Sequence, residues 1–565
     1  MKLYQGITLA MIITQSSAVP TLKWSACPLT TFDLGLGSGF IDSAKCAVYT
    51  PPLCRTGVCE ASSKKTVDVF VKYIPATKVK PEKAQNVWLL QGGPMHEPAG
   101  LDVPMIYMYD LLEGKTNVYT MDYRGTGRSE QLSCQASAPS SLNGGMDPSD
   151  VPECAQELED KYGDLAAFST TSAAKDLVSF ISDYTNDFSS TIYGVGYGTN
   201  WVERIMHLDP PEVTGYVLDS ITTTSGVSPD KFFNLSSVDI NAGKIGDTFL
   251  SLCAEDSICN AHFKKNDLDT TIERLMTNFD KNPSSTCAKL VKTLKSGQDD
   301  DSPSFVLRYL FGYLIADSAM RTVVPPVAYR LLRCEPKDID VLTHLIKSLN
   351  RGMYPQEDER AHTSIILDNL VTYSEMWEAP TPSVSNLKSR FEESTLNVWS
   401  SYTAVPLYCA FSKEKSPVCD KLKLGDYDGN GIIYERDEYW NKPATIPNQA
   451  SVLLMSSKLD PTAPYQYAKY LFDVFDGENK ELVTFENTVG SNLIDRGTYE
   501  YMCGSIILAS YVQNNGNLAK LDKSCALEKT ALNWTTPIEY QYGFLSTDDA
   551  YDGEFDTSLN ASLSW

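Results

Sequence analysis

Gly194-Val195-Gly196-Tyr197-Gly198 has the spacing of a nucleophile elbow, G-x-S-x-G, with glycine in the place of the serine. In an elbow, a sharp turn between a strand and a helix lifts the central side chain above a sheet, where its hydroxyl can attack a carbonyl. Gly196 has no side chain to lift. Residues 191–193 read as the end of a buried strand, and residues 199–207 as a helix running into Pro210-Pro211, so the context that gives the motif meaning is present. Taken alone, the pentapeptide reads equally well as an unrelated glycine-rich turn.

Working outward, residues 86–90 form an apolar run that opens into Gln91-Gly92-Gly93-Pro94. Such a loop of free backbone amides can supply one oxyanion donor, at Gly93, with the amide after the nucleophile position, Tyr197, as the other. Residues 118–129 form a second strand ending in a glycine-rich turn, Asp122-Tyr123-Arg124-Gly125-Thr126-Gly127-Arg128-Ser129. With these motifs, the Leu218-Asp219-Ser220 step and Leu459-Asp460-Pro461-Thr462-Ala463-Pro464, the chain resembles the secreted prolyl and tripeptidyl aminopeptidase family of serine peptidases, in particular its long oomycete form. The match runs from about residue 65 to the C-terminus, in the family's order. It implies an α/β-hydrolase fold, a mostly parallel sheet flanked by helices, with a helical cap that restricts the pocket to free peptide N-termini. It also implies that Asp460 is the retained acid, the charge partner of a histidine.

That histidine is missing. In this fold the triad follows the order Ser, Asp, His, so it belongs after Asp460, beyond a strand at residues 481–485, where the family's His-Gly step falls on Val489-Gly490. The five histidines are His96, His207, His262, His344 and His362, and no shift of register brings one past Asp460. A serine hydrolase needs imidazole to take the hydroxyl proton and return it to the leaving amine, which valine cannot do. Where relatives have glycine after QGGP, this chain has Met95 followed by His96. Thr199, Ser189, Ser190 and Ser491 are read as capping or loop hydroxyls rather than substitute nucleophiles, His96 as a surface or hydrogen-bonded structural residue, and Glu97 and Glu203 as solvated charges rather than binders of a peptide amine.

The leading expectation is therefore a catalytically inactive, secreted peptidase homologue that binds peptides or an extracellular protein partner. The alternatives are an active serine exopeptidase with an unrecognised nucleophile, and a calcium-stabilised extracellular interaction protein. Residues 1–18 read as a signal peptide too short to span a membrane, and the polar C-terminus lacks a lipid-anchor tail. The formal charge of −24 disfavours nucleic acid as a partner. An even count of 14 cysteines, scattered rather than in metal-binding pairs, suits disulfides. The close candidates are Cys54 with Cys59, Cys253 with Cys259, Cys409 with Cys419 and Cys503 with Cys525, while Cys134 and Cys154 flank a Ser/Pro/Gly-rich stretch. Asn234, Asn533 and Asn560 begin glycosylation sequons.

Far more chain separates Gly196 from Asp460 than an undecorated fold needs, and segments 268–279, 305–332 and 339–349 carry helical apolar spacing. The expected division is a first half of the core at 19–224, a helical cap at 225–440, a second half at 441–545 and a tail at 546–565. Near the end of the cap, residues 426–437 match a structural calcium loop, with candidate ligands Asp426, Asp428, Asn430, the Ile432 carbonyl and Asp437, although aspartate at the last position reaches less far than the usual glutamate. A simple Asx and glycine turn is the competing reading.

Overall fold

The computed structural model describes residues 22–31, 44–59, 64–93, 98–135, 146–263, 266–295, 301–352, 362–490, 492–493, 503–527 and 531–559. Residues 1–18, expected as a signal peptide, lie outside the described residues, as do Met95, His96, Glu97 and Ser491.

The strands are β1 (Ser25–Cys27), β2 (Ala44–Tyr49), β3 (Val69–Ile74), β4 (Asn86–Leu90), β5 (Asn117–Met121), β6 (Ser190–Val195), β7 (Val213–Asp219), β8 (Ser451–Ser457) and β9 (Lys480–Phe485). They form one sheet in the order β1-β2-β3-β5-β4-β6-β7-β8-β9. β1 to β3 are antiparallel to their neighbours, and β4 to β9 run parallel. The exchange of β4 and β5, with an antiparallel arm on one side and a parallel run on the other, is the strand order of an α/β-hydrolase, extended here by one N-terminal strand.

Three of the parallel strands, β4, β5 and β8, are buried at every position, so they read as continuous apolar runs rather than as alternation. The period of two survives in which side each residue faces. Trp88, Leu90, Val452 and Leu454 enter one core with the helices α3 (Thr170–Tyr184) and α4 (Gly198–Leu208), while Val87, Leu89, Leu453 and Met455 enter a second core with α1 (Asp102–Leu111) and the helix Cys503–Gln513.

Between β7 and β8 the described residues are helical, without a strand. They build a third core from residues such as Phe249, Ile272, Phe311 and Leu345. The segment expected at 305–332 is two helices, Pro303–Ile315 and Val324–Arg333, because Pro325 and Pro326 are tolerated only in a first helical turn. Near the C-terminus, Trp534, Phe544, Leu545 and Ala550 join the cap's core, and Arg330 donates to the carbonyls of Ala550 at 2.7 Å and Asp549 at 2.9 Å. The chain thus leaves the sheet for the cap before residue 546.

All 14 cysteines are paired. Besides the five pairs named from spacing, the structure joins Cys27 to Cys46 and Cys287 to Cys334. Among the described residues no helix is long and apolar enough to cross a membrane.

Candidate functional site

β4 and β6 are neighbours whose following connections depart to opposite sides, so the crevice at their carboxyl ends is the topological switch point where open α/β sheets place ligands. The elbow sits there. Gly196 adopts φ +55°, and a Cβ added to it would find its nearest neighbour, the Gly92 Cα, at 3.8 Å. The flanking glycines are there for space instead. A Cβ on Gly194 would lie 2.3 Å from the Gly198 carbonyl oxygen, one on Gly198 2.8 Å from the Leu90 oxygen, and one on Gly92 2.3 Å from the Val195 oxygen. Backbone packs on backbone around position 196, and the position itself is left open. Thr199 Oγ1 donates to the Gly196 carbonyl at 2.6 Å, tying the first turn of α4 back to the elbow.

The two positions named for oxyanion stabilisation lie on these turns. Gly93 has φ +56°, in the loop that follows β4. Tyr197 is buried, with its hydroxyl sharing a 2.6 Å hydrogen bond with Thr170 Oγ1. The DYRGTGRS motif is structural. Arg124 is fully buried and grips Asp176 with two guanidinium nitrogens, at 2.6 and 2.7 Å, and Arg128 does the same for Asp122, at 2.9 and 2.7 Å.

Asp460 follows β8, as its motif requires, and is fully buried. Its carboxylate accepts the amides of Thr462 at 2.8 Å and Ala463 at 3.0 Å, and the hydroxyl of Ser220. Burial holds its pKa above the ordinary carboxylate range, against the pull of those donors. Ser220 sits at φ +52°, unusual for a residue with a side chain.

Sequence reasoning missed the second carboxylate. Asp219 ends β7, fully buried, and burial pushes its pKa up to about 7. It accepts the Tyr193 hydroxyl at 2.6 Å, the Asn492 backbone N–H at 2.8 Å and the Asn492 side-chain amide at 2.5 Å. Asn492 Oδ1 in turn accepts the hydroxyls of Ser457 and Thr488, both at 2.8 Å. The loop after β9, which contains the half-buried Val489, is therefore pinned to the sheet by an asparagine amide. No motif announces this residue.

Four histidines are placed by the structure, and each has a structural setting. His207 Nε2 donates to the Lys442 carbonyl (3.1 Å), with burial depressing its pKa to about 4. His344 meets the Gly543 carbonyl at 2.9 Å, His262 stacks on Tyr551, and His362 lies beside Gly127.

Behind the elbow, α4 carries two charges into the seam between core and cap. Arg204 reaches Glu375 at 2.9 Å and Asp437 at 2.7 Å, and Glu375 also accepts from Thr170 and from Tyr434. Glu203, expected as a solvated charge, is instead only 3% exposed; its helix face turns toward residues 223–225, where Thr223 and Ser225 donate to it.

Three of the candidate calcium ligands have side-chain partners within the protein. Asp437 is held by Arg204 and Thr171, Asp426 by Lys415 at 3.3 Å, and Asn430 by Glu159 at 2.9 Å, while Ile432 is buried. Lys413 donates its ammonium to the carbonyls of Tyr427 and Gly429, so the loop contains a cation of its own. Among the described residues no group of three or more His, Cys, Asp or Glu side chains is arranged to hold a metal ion. Of the sequons, Asn533 is exposed, Asn234 is buried with Ser236 beneath it, and Asn560 lies outside the described residues.

No protein-family model and no curated protein matches the chain. Solved structures similar to it include an esterase from Exiguobacterium antarcticum, 11% identical over 79% of this chain and 96% of that one, at a TM-score of 0.32. Another is a proline iminopeptidase from Mycobacterium smegmatis, 10% identical over 84% and 99%, at 0.35. A third is an α/β hydrolase from a Medee basin deep-sea metagenome, 12% identical over 81% and 96%, at 0.29. The assignment to the α/β-hydrolase fold rests on the strand order rather than on these likenesses.

Proposed function

We propose that this chain is a secreted, serine-peptidase-like α/β-hydrolase homologue that has lost catalysis and uses the inherited crevice to bind peptides or an extracellular protein partner. The observation that carries the reading is the elbow: a left-handed turn at Gly196 where a Cβ would meet no described atom closer than 3.8 Å, an ordinary contact. The strained turn is kept and the hydroxyl is gone, and no histidine follows Asp460. Without nucleophile and base, what remains of a hydrolase is positioning and electrostatics, which in subtilisin stripped of its triad leave only about a thousandfold over water. The leader at residues 1–18 and the seven disulfides support an oxidising, extracellular setting.

The test is hydrolysis of tripeptide and proline-terminated fluorogenic substrates by the purified protein beside the Gly196→Ser, Val489→His, Met95→Gly triple variant. The wild type is expected to be silent and the variant to cleave weakly. Binding of free-amine peptides, with N-blocked ones excluded, supports the retained pocket; no binding at millimolar concentration removes that part of the proposal.

One observation favours the competing reading of an active exopeptidase. Ser220 is a serine with positive φ whose hydroxyl rests on a buried carboxylate. Labelling by a fluorophosphonate that disappears in Ser220→Ala would replace the pseudoenzyme reading with this one.

A further inference from the structure

The seam behind the elbow holds a small cavity of about 10 Å³, whose polar lining includes Asn200, Glu203, Thr223, Ser225 and Glu375 together with Arg204 and His207. Of the Glu203 carboxylate, Oε2 is met by the Ser225 and Thr223 hydroxyls, while Oε1 is buried without a hydrogen-bond partner. A buried carboxylate oxygen left unpaired is costly, and such a group finds either a proton or a positive charge.

The surrounding charges supply one only in part. Arg204 lines the cavity and draws Glu203 toward its anion, but its hydrogen bonds go to Glu375 and Asp437. Arg436, from the cap's exit segment, donates to the carbonyls of Ser374 and Trp377 and stacks on Trp440 at 3.9 Å. Lys442 is exposed, its ammonium 5.5 Å from the Tyr439 ring centre. His207, with its pKa lowered to about 4, is neutral at physiological pH. Two guanidinium groups thus face three carboxylates, and the uncompensated charge falls on Glu203.

We infer that this cavity is a binding site for one monovalent metal cation, sodium in particular, held by Glu203 Oε1 with the Thr223, Ser225 and Asn200 oxygens around it. The donors are hard oxygens, which select such ions over soft or nitrogen-loving metals. The volume is roughly that of one water-sized sphere, which admits an ion of that size and excludes an amino acid. Calcium would demand six to eight oxygens, and the free charge here is that of a single carboxylate.

The ion would join three elements that meet at the hinge of the cap. α4 carries the elbow at its start, residues 223–225 lead into the cap, and Trp440 leads out of it, with Thr224 Oγ1 donating to the Trp440 carbonyl at 2.6 Å. Cation occupancy therefore stiffens the turn that presents Gly196. The inference stands on the cavity alone and does not depend on the proposed peptide binding.

The experiment is thermal unfolding of the full-length protein at pH 8 in sodium, potassium or choline chloride, at one ionic strength of about 0.15 M. Tm is expected to be several degrees higher in sodium than in choline, to rise with the logarithm of sodium concentration, and to lose this ion dependence in Glu203→Gln. If that variant does not fold, Thr223→Val and sodium-23 line broadening by the wild type read the same site. Equal Tm in the three salts, or an ion effect that persists in Glu203→Gln, overturns the site. Equal Tm with a decline as pH rises through about 7 would show that Oε1 holds a proton instead.

Discussion

Asn492 donates its backbone N–H, at 2.8 Å, and its side-chain amide, at 2.5 Å, to the carboxylate of Asp219, which lies 273 residues earlier in the chain. In an active serine hydrolase the loop after the last strand is fixed by imidazole bonded to a carboxylate, and the same bond serves proton transfer. Here an amide holds the loop to Asp219, a different carboxylate from Asp460, and an amide neither gains nor loses a proton near neutral pH.

The pH dependence of that contact is a first prediction. Asp219 has a folded-state pKa raised to about 7 by burial, with Tyr193 and Asn492 pulling the other way. A carboxyl whose pKa is higher folded than unfolded binds more protons when folded, so its contribution to stability falls as pH rises from about 4 through about 7. Asn492→Ala removes the side-chain donor to the anion, leaving the backbone N–H, and should cost on the order of 1.5–3 kcal/mol at pH 8 and clearly less at pH 5. Melting curves at the two pH values measure this. An equal loss at both would mean that Asn492 acts through loop packing and not through the charge of Asp219.

The glycines of the elbow are expected to separate into two kinds. Gly196→Ala or Gly196→Ser places a Cβ in open space and meets only the strain of φ +55°, which should cost about 1 kcal/mol. Gly194→Ala and Gly198→Ala drive a Cβ into backbone at 2.3 and 2.8 Å and should cost several times more, up to failure to fold. Expression yield and Tm of the four variants check the order, and a Gly196→Ala variant as damaged as Gly194→Ala would contradict the vacant position.

Arg204 bridges core and cap through Glu375 and Asp437. Removing one member of a buried ion pair leaves the others uncompensated, so Arg204→Ala should lower stability by about 3–5 kcal/mol. Arg204→Met with Glu375→Gln removes part of the charge from both sides and should recover some of that loss. If the double variant is no better than the single one, the guanidinium acts mainly through its hydrogen bonds to Thr171 and its packing.

The parts of this architecture visible in sequence are those in which local pattern and global role coincide. Gly194 and Gly198 carry the elbow because backbone contact there forbids other residues, Gly196 because its φ is positive, and residues 86–90 and 451–457 announce central strands by unbroken apolarity. The missing histidine is legible because absence from a list needs no register. Asn492 and Glu203 were not legible. Each looks like an ordinary polar residue, and its meaning comes from Asp219 and from Ser225, partners that only the folded sheet and the hinge of the cap bring near. The Cys287–Cys334 bond escaped for the same reason, since its 47-residue separation carries no local signal.

The loop at residues 426–437 gives the last prediction. Its spacing matches a calcium site, yet Lys413 occupies the carbonyls of Tyr427 and Gly429, and Asp437 belongs to a largely buried pair with Arg204. Calcium could enter only by expelling the ammonium and withdrawing Asp437, which would strand Arg204 at a cost of several kcal/mol. An extracellular-grade site with a Kd of about 0.1–1 mM releases roughly 4–5.5 kcal/mol in total, so the exchange has little left to drive it. We therefore expect Tm to stay unchanged on adding a chelator and not to rise with calcium concentration in the millimolar range. Calcium at ten times its Kd would stabilise a true site by about 1.4 kcal/mol, a shift of about one degree in a chain of 565 residues; a shift that grows with the logarithm of calcium concentration and is lost in Asp428→Asn would show that the loop rearranges around the ion.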